Sequence, residues 1–574
     1  MNSVLWRPSA ERIANANVTR FAREVAERFG ADAARDYPSL HAWSVENPAE
    51  FWSLVWEFCG VVASRAGETV LRDADRFPGA RWFPDARMNF AENLLRHRDT
   101  RPALIALVEN GDRRELSYAE LYLEVARLAG ALRAHGVEPG DRVVGFMPNI
   151  IETVVAMLAT TSIGAIWSSC SPDFGVDGVL DRFGQIRPKV LFSADGYFYN
   201  GKRCDSLQRL ARIVERIDSL ERVVVVPLLD AQPDIGALAG ATLYDDFAAD
   251  ETEIDFTQLP FDHPLYIMYS SGTTGAPKCI VHAAGGALLK HVSEQQLHAD
   301  LTRDDVLFYF TTCGWMMWNW LVSGLATGAT LVLYDGSPFA REGRVLLDAI
   351  DNEGITIFGT SAKYIAALEK AGHRPAESHD LGTLATILST GSPLLHESFD
   401  YVYRDIKQDV CLSSISGGTD LLGCFVTGCP TLPVHRGEIQ ALALGMGVEF
   451  RNEAGVPVIG EKGELVCTRA FPSCPLGFWN DDDGSRFRAA YFERYRGVWA
   501  QGDYGEITAN GGVIIHGRSD AVLNPGGVRI GTAEIYRPVE RIDEVVEALA
   551  IGQQWEGDTR IVLFVRLREG LVLD

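Results

Sequence analysis

The 574 residues carry 77 Asp and Glu against 53 Lys and Arg, a formal net charge of −24. That excludes the broad basic surface that neutralises nucleic-acid phosphates, so nucleic acid is no partner and any anionic ligand must be met by local positive charge. Hydrophobic residues at 47% and charged residues at 23% exclude disorder and a membrane-embedded body.

The opening MNSVLWRPSAERIANANVTRF has no uninterrupted apolar run followed by a small-residue cleavage site, which argues against export. Residues 1–100 are Trp-rich, and YPSLHAWSVENPAEFWSLVWEF places apolar residues at helical spacing, so a helical leader is expected to cap something larger. From about residue 101 helical stretches such as YAELYLEVARLAGALRAHG, closed by Gly136, alternate with β-branched runs such as RVVVVPLL. The most apolar stretch, residues 150–167, carries Glu152 and several Ser and Thr, and predicts a packed helix rather than membrane insertion. Ten Cys without a CxxC pair predict reduced thiols and a cytoplasmic chain rather than zinc.

Beyond Pro264 the alternation becomes regular, from LYIMYS through VLFYFTT, ATLVLYDG and ITIFGTS to LATILST, with helices of 10 to 15 residues between. That pattern predicts βαβ units and a largely parallel sheet. Around residue 432 strand pairs with Gly-rich turns take over, GVEFRNEAGVPVIGEKGELVCTRAF and GVWAQGDYGEITANGGVIIHGRSD, which predicts a β-rich unit over about 432–519. A further small α/β segment begins after residue 520.

The strongest chemical signal is YSSGTTGAPK at 269–278, behind a strand and ahead of a helix. Its hydroxyls and glycines offer short donors and backbone N–H groups to phosphate oxygens, and Lys278 adds a point charge; the spacing is not that of a Walker A loop. STGSPL at 389–394 and SGGTD at 416–420 each follow a β-like run, where an open α/β sheet places its ligands. WAQGD at 499–503, HGRSD at 516–520 and NPGGVRI at 524–530 come next. His263, His282 and His516 sit near these motifs, and each reads as structural or solvated.

In this order the motifs resemble the adenylate-forming family of acyl-CoA synthetases, peptide-synthetase adenylation domains and luciferases, from about Trp82 onward. The leader, YPSLHAWSVENPAEFW and RWFPDARMNFAENLLRHRD, is similar to that of the acetyl-CoA synthetase branch, and SGGTDLLGCF to members that activate acetoacetate. The resemblance implies an α/β fold. Its large domain, residues 101–519, would hold two stacked αβ subdomains and a β-rich, barrel-like one, followed by a small α+β lid. The substrates implied are ATP, coenzyme A and a short acid, here acetoacetate, with Mg²⁺ as cofactor.

Carried over residue by residue, the resemblance assigns Ser270, Ser271, Gly272, Thr273, Thr274 and Lys278 to the ATP phosphates. Gly391, Ser392 and Pro393 would line the adenine, with Ser414, Ile415, Ser416, Gly417, Gly418 and Thr419, the last turned toward the α-phosphate. Asp420 stands where most of the family has Glu and would meet Mg²⁺, through water if its shorter reach requires it. Asp503 would accept the ribose hydroxyls, Arg518 would lie beside the ribose, Arg529 would meet a phosphate, and Asp520 would be the lid hinge. Gly526, Phe174 and Arg203, with Lys202, would face coenzyme A. In acetate-specific relatives a Trp stands at the position of Gly417, so its loss is expected to enlarge an acyl pocket walled by Trp315 and Trp318. Trp318, Asn319 and Ser416 are the candidate donors to a 3-keto oxygen.

Two alternatives stay open at this stage. One is a ligase for another short or oxo acid. The other is a nucleotide-binding protein that does not complete the reaction, because the family's lid carries a late Lys at the α-phosphate and no Lys follows Arg529. Only 54 residues follow Asp520, about half a usual lid, so an incomplete lid at 520–574 is expected.

Overall fold

The computed structural model describes residues 3–270, 276–519, 523–527, 530, 535, 538–539, 542, 544–555, 558–568 and 571–572. Ser271, Gly272, Thr273, Thr274, Asp520 and Arg529 lie outside the described residues.

Two sheets of the expected kind form the body. One has eight strands, of which the first six run in parallel, from Ala241–Leu243 at the edge to Pro264–Ser270; Lys278–Ala283 and Gly477–Phe478 then add antiparallel. The other has seven, parallel from Cys411–Ser414 to Pro102–Val108, with Arg113–Ser117 antiparallel at its edge. The helix predicted within 150–167 is Ile151–Ser162, and all twelve of its residues are buried, Glu152 included. Glu152 accepts from Arg114 Nη1 at 2.6 Å, which offsets burial of its charge. The helix Tyr118–Ala134 starts on a Ser117–Glu120 capping box and ends just before Gly136, whose φ of 73° suits a residue without Cβ.

The leader is helical, with Ala10–Asn15, Asn17–Phe29, Tyr37–Glu46 and Pro48–Phe58. Phe51 and Trp52 are fully buried in the largest apolar core, beside Leu288 and Val292 of the helix Ala284–Ser293. Each such side chain contributes about 2–3 kcal/mol of transfer free energy, which fastens the leader to the body. Tyr37 Oη also donates to Leu442 O at 2.6 Å.

The β-rich part consists of a three-stranded and a four-stranded antiparallel sheet. The predicted pairs are present, Val448–Arg451 with Gly463–Cys467 and Trp499–Ile507 with Val513–Arg518. Past residue 520 the described residues hold an antiparallel hairpin, Val545–Trp555 with Asp558–Leu567. Among the described residues no helix is long and apolar enough to cross a membrane, and the ten Cys are free thiols.

Candidate active site

Strand ends of both parallel sheets converge on one cavity of about 1340 Å³. That exceeds the ~300–1,000 Å³ usual for one small ligand, as a site for a nucleotide and an acid together requires. Gly391, Ser392 and Pro393 line it directly after the strand Thr386–Thr390, and Gly391 adopts φ 93°, which a side chain would strain. Ser414 to Thr419 line it after Cys411–Ser414. Asp503 and Arg518 lie opposite each other in the strand pair, and Arg518 Nη1 donates to Asp503 Oδ1 at 2.9 Å. Both side chains are largely buried, so this ion pair holds the carboxylate in one orientation.

Ser270 lines the same cavity and ends a strand whose antiparallel partner, Lys278–Ala283, follows the phosphate-loop candidate directly; the helix expected there begins only at Ala284, a correction to the sequence reading. Lys278 and Asp420 lie on the far side, in a smaller pocket of about 190 Å³ that Ser270 and Arg518 also line. There Lys278 Nζ stands 3.5 Å from Asp420 Oδ1 and 3.5 Å from Tyr491 Oη, with the Tyr491 and Phe478 rings 5.0 and 5.7 Å away. Tyr491 Oη donates to Asp420 Oδ1 at 2.5 Å, and its ring stacks on Trp499 at 3.8 Å. Arg494 Nη1 reaches Glu464 Oε2 at 2.8 Å at the rim. Under this cluster His282 is fully enclosed, and burial pushes it down to about 4, so it is a neutral imidazole.

Trp315, Met316 and Met317 also line the cavity, as do Gly417, Gly423 and Cys424. Phe174 lines the cavity too, with the Arg182 guanidinium 4.6 Å over its ring.

Four expectations need correction. Trp318 does not line the cavity: it is fully buried, and its Nε1 donates to Asn149 Oδ1 at 2.9 Å. Asn319 is buried with it, which leaves Ser416 as the cavity-lining member of the three candidate keto-oxygen donors. Arg203 pairs with exposed Asp230 at 2.9 Å outside the cavity, and Gly526 is not among its lining residues but donates its N–H to Asp558 Oδ1 at 2.8 Å. The argument that Gly417 makes room by lacking an indole also fails in that form. A Cβ there would stand 1.9 Å from Gly423 O and 2.5 Å from Cys424 Cα, aimed at the neighbouring strand rather than into open space.

Sequence reasoning missed Tyr491, Arg182 and a buried Lys290–Glu294 pair. None lies in a motif: Tyr491 is 71 positions from Asp420, and only the fold brings them together. Arg182 offered a weak signal, as a cation eight residues beyond Phe174 on the helix Val176–Ile186.

The model of the AMP-binding enzymes matches residues 90–471, and that of the acetyl-coenzyme A synthetase N-terminus residues 37–94. An acetoacetyl-coenzyme A synthetase from Rhizobium meliloti (strain 1021) is 55% identical over 99% of this chain and 87% of its own length. An acetoacetyl-CoA synthetase from Gallus gallus is 48% identical over 99% of this chain and 86% of its own. The solved acetoacetyl-CoA synthetase from Streptomyces lividans superposes with a TM-score of 0.87 at 46% identity, covering 100% of this chain and 88% of that one. The chain belongs to the AMP-binding enzymes, among the acetoacetyl-coenzyme A synthetases.

Proposed function

We propose that this chain joins acetoacetate to coenzyme A, with ATP cleaved to AMP and pyrophosphate, through an acyl-adenylate. The observation that carries the reading is one cavity lined together by Gly391 to Pro393, Ser414 to Thr419, Asp503 and Arg518 and by Trp315, Met316 and Met317. In the first half-reaction an acid oxygen bonds the α-phosphorus as its bond to the β-phosphate oxygen breaks. In the second, the thiol sulfur of coenzyme A gives up its proton to solvent and bonds the acyl carbon, as the bond from that carbon to the phosphate oxygen breaks and AMP leaves. Neither half needs a protein nucleophile; the work is positioning and charge stabilisation.

Within that scheme Asp503, held by Arg518, accepts the ribose hydroxyls, and Thr419 faces the α-phosphate. Ser416 supplies the donor for the 3-keto oxygen. The localisation proposed is the cytoplasm, consistent with ten reduced thiols.

For Mg²⁺ the donor set fits. Asp420 offers one buried carboxylate in the small pocket that Ser270 and Lys278 also line. That is the pattern for an ion held by one or two carboxylates, phosphates and water. When bound, the ion neutralises phosphate charge. The chain's own part is to orient Asp420 through Tyr491 and keep Lys278 beside it.

AMP release over acetate, propionate, butyrate, acetoacetate and 3-hydroxybutyrate tests the substrate. Acetoacetate should give a kcat/KM at least about tenfold above the others, the scale on which a few matched contacts discriminate. Best activity with acetate would refute it. Tyr491→Phe keeps the ring stack and deletes the hydroxyl that bonds Asp420 and stands 3.5 Å from Lys278 Nζ; the bond to the charged acceptor is worth about 2 kcal/mol. The expected result is ATP–pyrophosphate exchange slowed about thirtyfold at nearly unchanged melting temperature. Unaltered exchange would remove Tyr491 from the machinery.

A further inference from the structure

The acyl end of the cavity is backed by buried charge. The helix Ala284–Ser293 runs into a π turn, Glu294–His298, a rare backbone form concentrated at functional sites. Lys290 and Glu294, 1% and 3% exposed, pair there at 3.1 Å. Lys290 Nζ donates to Cys424 O at 2.8 Å, while Glu294 Oε1 accepts from Cys424 N at 2.6 Å. Trp320 Nε1 fixes the other carboxylate oxygen at 3.0 Å. One ion pair therefore grips both polar groups of a single residue. That residue and its neighbour Gly423 line the cavity, and a Cβ on Gly423 would stand 2.7 Å from Glu294 Oε1 and from Lys290 Cε. On its other side the same strand presses against Gly417.

A buried pair is not the economical way to stabilise a core, since apolar side chains of similar volume serve as well or better. What a pair supplies is a fixed position, and here the fixed object is the wall against which the acid must fit. We propose that Lys290 and Glu294 are specificity-determining positioning residues, which hold the strand Gly423–Thr427 so that the cavity accepts acetoacetate in preference to other short acids. This rests on the acid–CoA ligase reading and names the part of the chain that sets its acid.

The test is steady-state kinetics over the acid series for the wild type, for Lys290→Met/Glu294→Gln and for Lys290→Arg, with thermal melts and ATP titration calorimetry beside them. The double variant removes both charges at nearly constant volume and is expected to fold. It should raise the acetoacetate KM about tenfold and narrow the preference over butyrate by a similar factor, with ATP affinity within about twofold, because only the acyl wall loses its register. Lys290→Arg retains the charge but replaces a point donor by a wider fork, and should raise the acid KM several-fold with ATP binding unchanged. An unchanged acid KM and preference in folded double variant overturns the proposal, as does a parallel loss of acid and ATP binding. If the double variant does not fold, the same criteria applied to Lys290→Arg decide. A wild type without preference for acetoacetate would instead sink the substrate reading, before any variant is compared.

Discussion

Lys278→Ala is expected to slow acyl-adenylate formation by about two to three orders of magnitude, the usual cost of losing one preorganised group that meets charge developing in a transition state. The argument is local. Lys278 Nζ stands 3.5 Å from the Asp420 carboxylate, in a pocket that Arg494 and Arg518 also line. The Tyr491 and Phe478 rings hold the ammonium from the side, so it is preorganised before ATP arrives. Without it the buried carboxylate keeps the Tyr491 hydroxyl as donor but faces incoming phosphate with less compensating charge. ATP–pyrophosphate exchange isolates this step, and transfer from preformed acyl-adenylate to coenzyme A isolates the next. The loss should fall on the first. A loss confined to thioester formation would take Lys278 out of the phosphate site.

How much of this was legible in the sequence follows from how far apart the cooperating residues lie. Motifs that sit on one short segment were readable as lining the cavity. STGSPL and the segment 414–419 each begin at the end of a strand of a parallel sheet, and strand ends are where such sheets bind ligands. The βαβ alternation read through because each strand and helix carries its own period. The Asp503–Arg518 pair was visible as two residues and not as a bond, since only strand register makes them opposite.

What failed to read through depended on side-chain direction. Trp315 and Trp318 were expected to wall one pocket, yet Trp315, just ahead of the helix Met316–Ser323, lines the cavity while Trp318 within it donates to Asn149. The run ALLKHVSEQQLH fell among the helices of the alternating pattern, and nothing in it signalled that it is buried throughout apart from Gln296 and carries a charged pair inward. Burial also leaves His291 and His298 neutral, each pushed down to about 3, so Lys290 and Glu294 are the charged groups of that helix facing the strand. No period in a single sequence reports such an inversion, because it exists only once the strand Gly423–Thr427 packs against the helix.

Gly417→Trp carries the other large effect, and the geometry reverses the result that sequence reasoning expects. If an indole at 417 merely filled the acyl pocket, the variant would fold and turn toward acetate. In the structure Gly417 pairs with Cys424 and Gly418 with Gly423, beside a register shift at Ser416, and the vector of a Cβ at 417 runs into the backbone of the partner strand. A contact of 1.9 Å to a carbonyl oxygen cannot be relieved by a rotamer change; the strand pair itself must open. Gly417→Ala should therefore already cost about 3 kcal/mol, at the upper end of overpacking penalties, and Gly417→Trp more. The strand that must yield is the one clamped by Lys290 and Glu294, so the damage reaches the acid site first. The expected observations are a lowered melting temperature for Gly417→Ala with a raised acetoacetate KM and no gain on acetate, and little folded protein for Gly417→Trp. A well-folded Gly417→Trp with an acetate preference would show that the strand pair opens cheaply and that the indole does reach the cavity.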